Sequence, residues 1–154
     1  LLLQEESSPG LTRVLFKDGA QKRFLNLGEF LAKANVKLAP QITHKGMLFF
    51  SMSGEKKRVG FAAVLQDPQS AGELSSSQEK TFEQDASPIL SVVGRKGQGY
   101  ATFFRTASHK GVAIRFQTLS VRDFGIVYGI VKDTLVFTTS LESMKQVIDL
   151  LETI

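Results

Sequence analysis

Two histidines, a serine–lysine pair and a glycine-rich basic loop are the places where residue type and spacing in this chain bear on chemistry. His44 and His109 lie about 65 positions apart, each followed by a lysine. A metal site needs further His, Asp or Glu ligands at set spacings. Neither histidine has one, so both read as surface residues and no metal is expected. Ser53-Gly54-Glu55-Lys56 has the form Ser-x-x-Lys, but the catalytic pair needs a helix start to carry the amine onto the hydroxyl. Here the four residues straddle a predicted hairpin turn. Gly94-Arg95-Lys96-Gly97-Gln98-Gly99 invites a phosphate-cradling reading, yet a P-loop requires Gly-x4-Gly-Lys-Ser/Thr between strand and helix so that amides converge on the phosphates. This loop has other spacing and leads toward a strand, so it reads as a connector. The chain has no Cys, which removes thiolate nucleophiles, disulfides and Cys-based zinc sites. No Gly-x-Ser-x-Gly elbow presents a serine. No catalytic residue and no cofactor is expected.

The candidate binding residues are cations: Lys56, Lys57 and Arg58 at a predicted hairpin tip, with Arg95 and Lys96 in the glycine loop. The chain carries 19 basic against 15 acidic residues, a net charge of +4, which gives weak anion attraction without demanding nucleic acid. Recognition of RNA on a sheet needs exposed aromatics at strand centres. Phe49 and Phe103 are the nearest candidates, but in a chain with twelve Phe they read more simply as core. Direct nucleic-acid binding is therefore not expected. The acids Asp18, Glu29, Asp67, Asp133 and Glu142 fall at caps and turns, so paired carboxylates for hydrolysis are not evident either.

The elements that must position these residues follow from turns and periodicity. Residues 1 to 10 form a polar lead-in read as a flexible tail. Residues 11 to 17 predict a strand closed by Asp18-Gly19, with a second short strand over 21 to 25. Asn26 and Glu29 have capping-box spacing for a helix over 26 to 35, whose Leu27, Phe30, Leu31 and Ala34 make an apolar stripe. A helical turn is expected around 39 to 45. Met47–Ser53 and Arg58–Leu65 predict a hairpin with a loop over 54 to 57, placing Leu48, Phe50 and Met52 on one face with Val59, Phe61, Ala63 and Leu65, the core face. Asp67-Pro68 opens a middle helix, poorly supported by Gly72 and Ser75 to Ser77. Further strands are predicted at Tyr100–Thr106, Gly111–Thr118, Phe124–Val131 and Thr134–Thr139. The Lys132-Asp133 turn aligns Tyr128 with Phe137 and Ile130 with Leu135. Gly125 and Gly129 then share one face, either packed closely or forming a groove for a ligand or an added strand. Thr139 and Glu142 predict the cap of a C-terminal helix bearing Leu141, Met144, Val147, Ile148 and Leu151.

Short hairpin links and unevenly alternating helices point to one α+β domain over residues 11 to 154: an antiparallel sheet with N-terminal, middle and C-terminal helices packed on it. A length of 154 residues suits a single core. The chain has no apolar run long enough to cross a bilayer.

The stretch from Gly125 to Asp149, with strand, tight turn, strand ending in Thr-Thr-Ser and capped helix, resembles the ending of an uncharacterised bacterial family of membrane-anchored surface-protein domains of unknown function, of candidate-phylum type. Residues 11 to 34 and Glu79-Lys80-Thr81-Phe82-Glu83 are similar too. The resemblance implies a domain outside the cytoplasm, tethered by a segment preceding Leu1, with more helix over 68 to 90 than the serines indicate. The expectation is a non-enzymatic extracytoplasmic interaction or structural domain whose partner is an unknown protein or envelope component. Two alternatives stand beside it: a small basic nucleic-acid-binding domain, and an enzyme with an unrecognised site.

Overall fold

The computed structural model describes residues 2–8, 10–36, 42–67, 78–92, 101, 103–120 and 123–153. Among these residues the strands are β1 (Leu2–Ser8), β2 (Leu11–Asp18), β3 (Arg23–Phe24), β4 (Ile42–Ser53), β5 (Lys56–Leu65), β6 (Arg105–His109), β7 (Val112–Ser120), β8 (Phe124–Val131) and β9 (Thr134–Thr138). The helices are α1 (Leu27–Lys33), α2 (Phe82–Asp85), α3 (Ser87–Val92) and α4 (Leu141–Thr153). The α+β class with an antiparallel sheet therefore holds.

Eight strands run in the order β1-β2-β4-β5-β9-β8-β7-β6, every neighbour antiparallel, and β3 pairs separately with β2. The central β5–β9 pair, from Gly60↔Thr138 to Val64↔Thr134, joins a strand set from each half of the chain. Turn chemistry sets most of the register. Lys132, at φ 57, turns β8 into β9 so that Tyr128 faces Phe137 and Ile130 faces Leu135. Gly54, at φ +61 with open space around it, supplies the left-handed residue that the β4–β5 turn requires.

Alternation divides the buried side chains between two faces. On the first, Leu48, Val59, Phe61, Tyr128 and Phe137 pack with Leu27 and Leu31 of α1, Phe82 of α2 and Ile89 and Leu90 of α3. On the second, Phe49, Ile114, Val127 and Val136 pack with Met144, Val147 and Ile148 of α4. The reading of a hairpin with only one core face is thus corrected, because helices lie on both sides and residues of either parity are buried. Phe49 is 3% exposed although it is opposite in parity to Leu48.

Other expectations shift as well. The lead-in read as a flexible tail forms β1, paired with β2 from Leu2↔Lys17 to Ser8↔Leu11. The loop expected over 54 to 57 is a two-residue turn, since β5 begins at Lys56. Residues 42 to 45, placed in a helical turn, belong to β4. Of the strand expected over Tyr100–Thr106, Tyr100 and Thr102 lie outside the described residues, Phe104 joins the ring cluster of Phe82 and Tyr128, and β6 begins at Arg105. In the middle of the chain, Asp67 is described, whereas the proposed opening at Pro68, Gly72 and the serine run lie outside the described residues. The described helical part there is two short pieces meeting at Ala86.

At α1 the Asn26 side chain accepts from the Glu29 amide while the Glu29 carboxylate accepts from the Asn26 amide, each at 2.9 Å. The start of α4 differs from its expected form. Ser140 takes the capping place, its hydroxyl accepting from the Ser143 amide at 3.0 Å. Asp123 accepts from the Leu141 and Glu142 amides at 2.8 and 3.3 Å. A carboxylate at a helix start meets unpaired amides and the positive end of the helix dipole. Thr139 is left to bond across the sheet to Val59.

Candidate functional site

The five cations nominated by the sequence do not assemble in the described part of the molecule. Arg95, Lys96 and the rest of the glycine loop lie outside the described residues. Lys56 is exposed in β5. The Lys57 ammonium sits 4.1 Å from the Phe50 ring centroid, a placement in which the ring face attracts the cation. Arg58 is 5% exposed, donates Nε to the Asp123 carbonyl at 3.1 Å and stacks over Phe124. Burial lowers its pKa, against a smaller opposing pull from Asp123. The structure therefore removes Arg58 from the surface set. It holds the loop before β8, which in turn caps α4. Ser53 and Lys56 stand opposite each other in the β4–β5 register, not on a helix.

Ionisable side chains elsewhere tie helices to the sheet. Arg115 in β7 grips Glu79 with two parallel bonds of 2.7 Å, Nε to Oε1 and Nη2 to Oε2. The Tyr128 hydroxyl adds a third donor at 2.6 Å. Burial pushes the Glu79 pKa up, but the bonds from Arg115 and Tyr128 outweigh it and leave the net direction downward. The same pairing raises the pKa of Arg115. Beside them Gln117 donates to Glu83 and to the Ala101 carbonyl, so the segment carrying α2 is fastened where Phe82 stacks on Tyr128 and Phe137. On the other face the hydroxyls of Ser51, Ser140 and Ser143 form a buried chain with links of 2.6 Å. His109 Nε2 and Lys110 Nζ both meet Asp149 of α4, at 2.8 and 2.7 Å, and hold its carboxyl below the usual range, Lys110 contributing most. Among the described residues no three His, Cys, Asp or Glu stand together as metal ligands.

Asp18 is a fourth strut. Its carboxylate accepts from Lys33 Nζ at 2.7 Å and from the amides of Ala20 and Gln21, joining the end of β2 to α1. The Lys33 bond leads in lowering its pKa from 3.8 to about 2. A depressed carboxyl pKa adds stability above the unfolded value, and that increment disappears as pH falls through the folded value. Wild-type stability should therefore drop between pH 3.8 and about 2 more steeply than that of Asp18→Asn. Denaturant midpoints measured across that window check this, and parallel curves for the two proteins would refute it.

The glycine strip has two different ends. Gly129 lies beneath α4, where an added Cβ would stand 3.0 Å from the Ala113 carbonyl oxygen of β7 and 3.9 Å from Met144 Sδ. At Gly125 a Cβ would stand 2.1 Å from the Gln117 carbonyl oxygen, so the backbone approach of β7 requires glycine. Close packing accounts for both positions. Gly125 also borders a shallow crevice of about 190 Å³ with Phe116, Thr118, Asp123 and Leu141. A second crevice of about 230 Å³ opens between β2 and β4 and includes Phe16, Leu25, Phe30, Lys45 and Met47. It exists because β2 pairs with β4 only over Leu11–Val14 and then turns to β3 through Lys17 and Asp18. Both volumes fall below the roughly 300–1,000 Å³ of ordinary small-molecule pockets. Each suits a single inserted side chain.

No sequence motif pointed to Glu79, Arg115 and Tyr128, which are 36 and 49 positions apart along the chain. The one sequence signal was the likeness over Glu79–Glu83. Compared with known protein families, curated proteins and solved structures, the chain matches none.

Proposed function

We propose that this chain is a non-enzymatic interaction domain of the cell envelope, held outside the cytoplasm by a segment beyond this sequence. The observation that carries the reading is the employment of its ionisable groups. Arg58, Glu79, Arg115, Asp123 and Asp149 are each bound into struts that fix a helix or its cap to the sheet. Two crevices, of about 190 and 230 Å³, are sized for single side chains. The envelope location rests on the family resemblance of residues 11 to 34 and 125 to 149. The nucleic-acid alternative loses support from the burial of Arg58 and the stacking of Lys57 on Phe50.

Two measurements test the proposal. Labelling intact host cells with a membrane-impermeant amine reagent should modify the exposed lysines of the native protein; protection until lysis refutes the envelope placement. Titration with single-stranded and duplex oligonucleotides at low salt should give no saturable binding. A saturable signal that weakens steeply with salt would move the assignment to nucleic acid.

A further inference from the structure

The sheet order ends at β6, so one side of that strand has no strand partner among the described residues. The direction of the backbone groups in β7 fixes which groups of β6 face that open side. An added Cβ at Gly129 or Gly125 of β8 would meet the Ala113 or Gln117 carbonyl oxygen, so odd-numbered residues of β7 aim their backbone groups at β8. The Thr118 carbonyl points the other way and accepts from the amide of Ala101, in the chain leading to β6, at 3.1 Å. Even-numbered residues of β7 therefore bond to β6, and in register they face Arg105, Ala107 and His109. Thr106 and Ser108 are left with amide and carbonyl turned to the open edge, and both residues are exposed.

Such an edge is a template for another strand unless something blunts it. β6, Arg-Thr-Ala-Ser-His, contains no proline or lysine and pairs with β7 without a bulge. Its long side chains are drawn back onto the molecule. The Arg105 guanidinium lies over the Phe116 ring and bonds to Thr118 at 2.8 Å, and His109 meets Asp149 of α4. What remains at the middle of the edge is the small, uncharged run Thr106-Ala107-Ser108.

We propose that β6 pairs antiparallel with β6 of a second copy of this chain, joining the two sheets across a two-fold axis at Ala107. The strand is complementary to itself in that register. Thr106 falls opposite Ser108 of the second copy, and the reverse, each pair exchanging both N–H···O bonds. Ala107 falls opposite itself at a non-hydrogen-bonded position, where side chains approach most closely, and a methyl group fits there. Arg105 has no carboxylate partner among the described residues, and it falls opposite His109 with its bound Asp149, so a cation faces an acid on each side of the axis. α4 does not obstruct the pairing. Its Asp149 stands over the β6–β7 turn through His109 and Lys110, and an antiparallel arrangement sends the two copies' turns to opposite ends. Two-fold pairing uses the β6 edge of both copies and closes at a dimer. Five residues from each copy make a contact at the small end of specific interfaces, so the dissociation constant should lie between about 10 μM and 1 mM. The inference goes beyond the interaction-domain reading and needs neither its location nor its partner.

Sedimentation equilibrium of this chain from about 10 μM to 1 mM should show monomer and dimer in exchange. Concentration-dependent amide shifts should centre on Thr106 and Ser108, and a mixture of labelled and unlabelled protein should give intermolecular cross-peaks at Ala107. Ser108→Pro deletes an outward N–H while sparing the bonds to β7, and should weaken dimerisation at least ~10-fold. Arg105→Asp sets acid against Asp149 and should do the same. Arg105 is exposed, so its variant serves where the proline variant fails to fold, and the cross-peaks need no variant. A monomer throughout, cross-peaks at another surface, or variants that dimerise like the native chain overturns the proposal. A monomer whose Thr106 and Ser108 amides move only when an extended β-forming peptide is added gives the edge to a foreign strand, and equally overturns it. None of these results alters the interaction-domain reading, which keeps its own tests.

Discussion

Phe137→Ala should lower the unfolding free energy by about 3–5 kcal/mol, the range for emptying a buried aromatic site. Phe137 is fully buried on β9, one of the two central strands. Its ring stacks on Phe61 of β5 at 5.0 Å between centroids and on Phe82 of α2 at 5.7 Å. Deletion removes the burial of the ring and two aromatic contacts, and collapse around the void is opposed by strands on both sides. Phe103→Ala is the matched control, since Phe103 is 61% exposed and should change stability by no more than about 0.5 kcal/mol. Denaturant unfolding of both variants measures the difference. A loss below about 1 kcal/mol for Phe137→Ala would mean that the stack is not the centre of the core.

The second large effect comes from adding one methyl group. Gly60→Ala should cost about 1–3 kcal/mol, the usual penalty for overpacking. A Cβ at Gly60 would stand 2.5 Å from Phe49 Cζ and 2.6 Å from the Phe137 carbonyl oxygen. The first contact belongs to a ring wedged beneath α4 and the second to the backbone of β9, so neither neighbour can yield cheaply. Phe49→Leu removes the ring contact but leaves the carbonyl. A double-mutant cycle should therefore show Gly60→Ala costing less in the Phe49→Leu background, with a coupling of at least about 0.5 kcal/mol. Additive costs would place the clash at the carbonyl alone.

These positions also mark how far the sequence could be read. Phe61 was legible as core because it sits in an alternating run beside a turn signal, and the pairing of Tyr128 with Phe137 followed from Lys132-Asp133. Alternation puts Gly60 on the face opposite Phe61, but its role is not legible in the sequence, since the ring that covers it comes from another strand and is pinned by α4. Likewise Arg58 read as a surface cation from its neighbours Lys56 and Lys57. Strand alternation and the approach of Asp123, 65 positions away, turned it inward.

The site was less legible than the fold. The nominated cations were chosen by clustering in sequence, and sequence clustering in a strand sends adjacent side chains to opposite faces. Glu79, Arg115 and Tyr128 carry no common motif, and what unites them is the meeting of a helical segment with two strands. The course of α4 over the sheet depends on the angle at which that helix crosses it. Its anchors are Ser51 at one end and His109 and Lys110 at the other, and no periodicity within residues 141–153 encodes that angle.

By itself, the sequence determined what a few adjacent residues decide: the strand–turn–strand of Phe124–Thr138, the Asn26 capping box, the amphipathic stripe of α4 and the absence of thiol chemistry. Those features rest on local sterics, turn conformations and short hydrogen bonds. Tertiary structure decided the joining of β5 to β9, the burial of both sheet faces, the inward course of Arg58, and Asp123 as partner to the start of α4. Apolar burial is non-directional and favours covering any hydrophobic face without naming its cover. The choice among covers is made only when segments far apart along the chain meet.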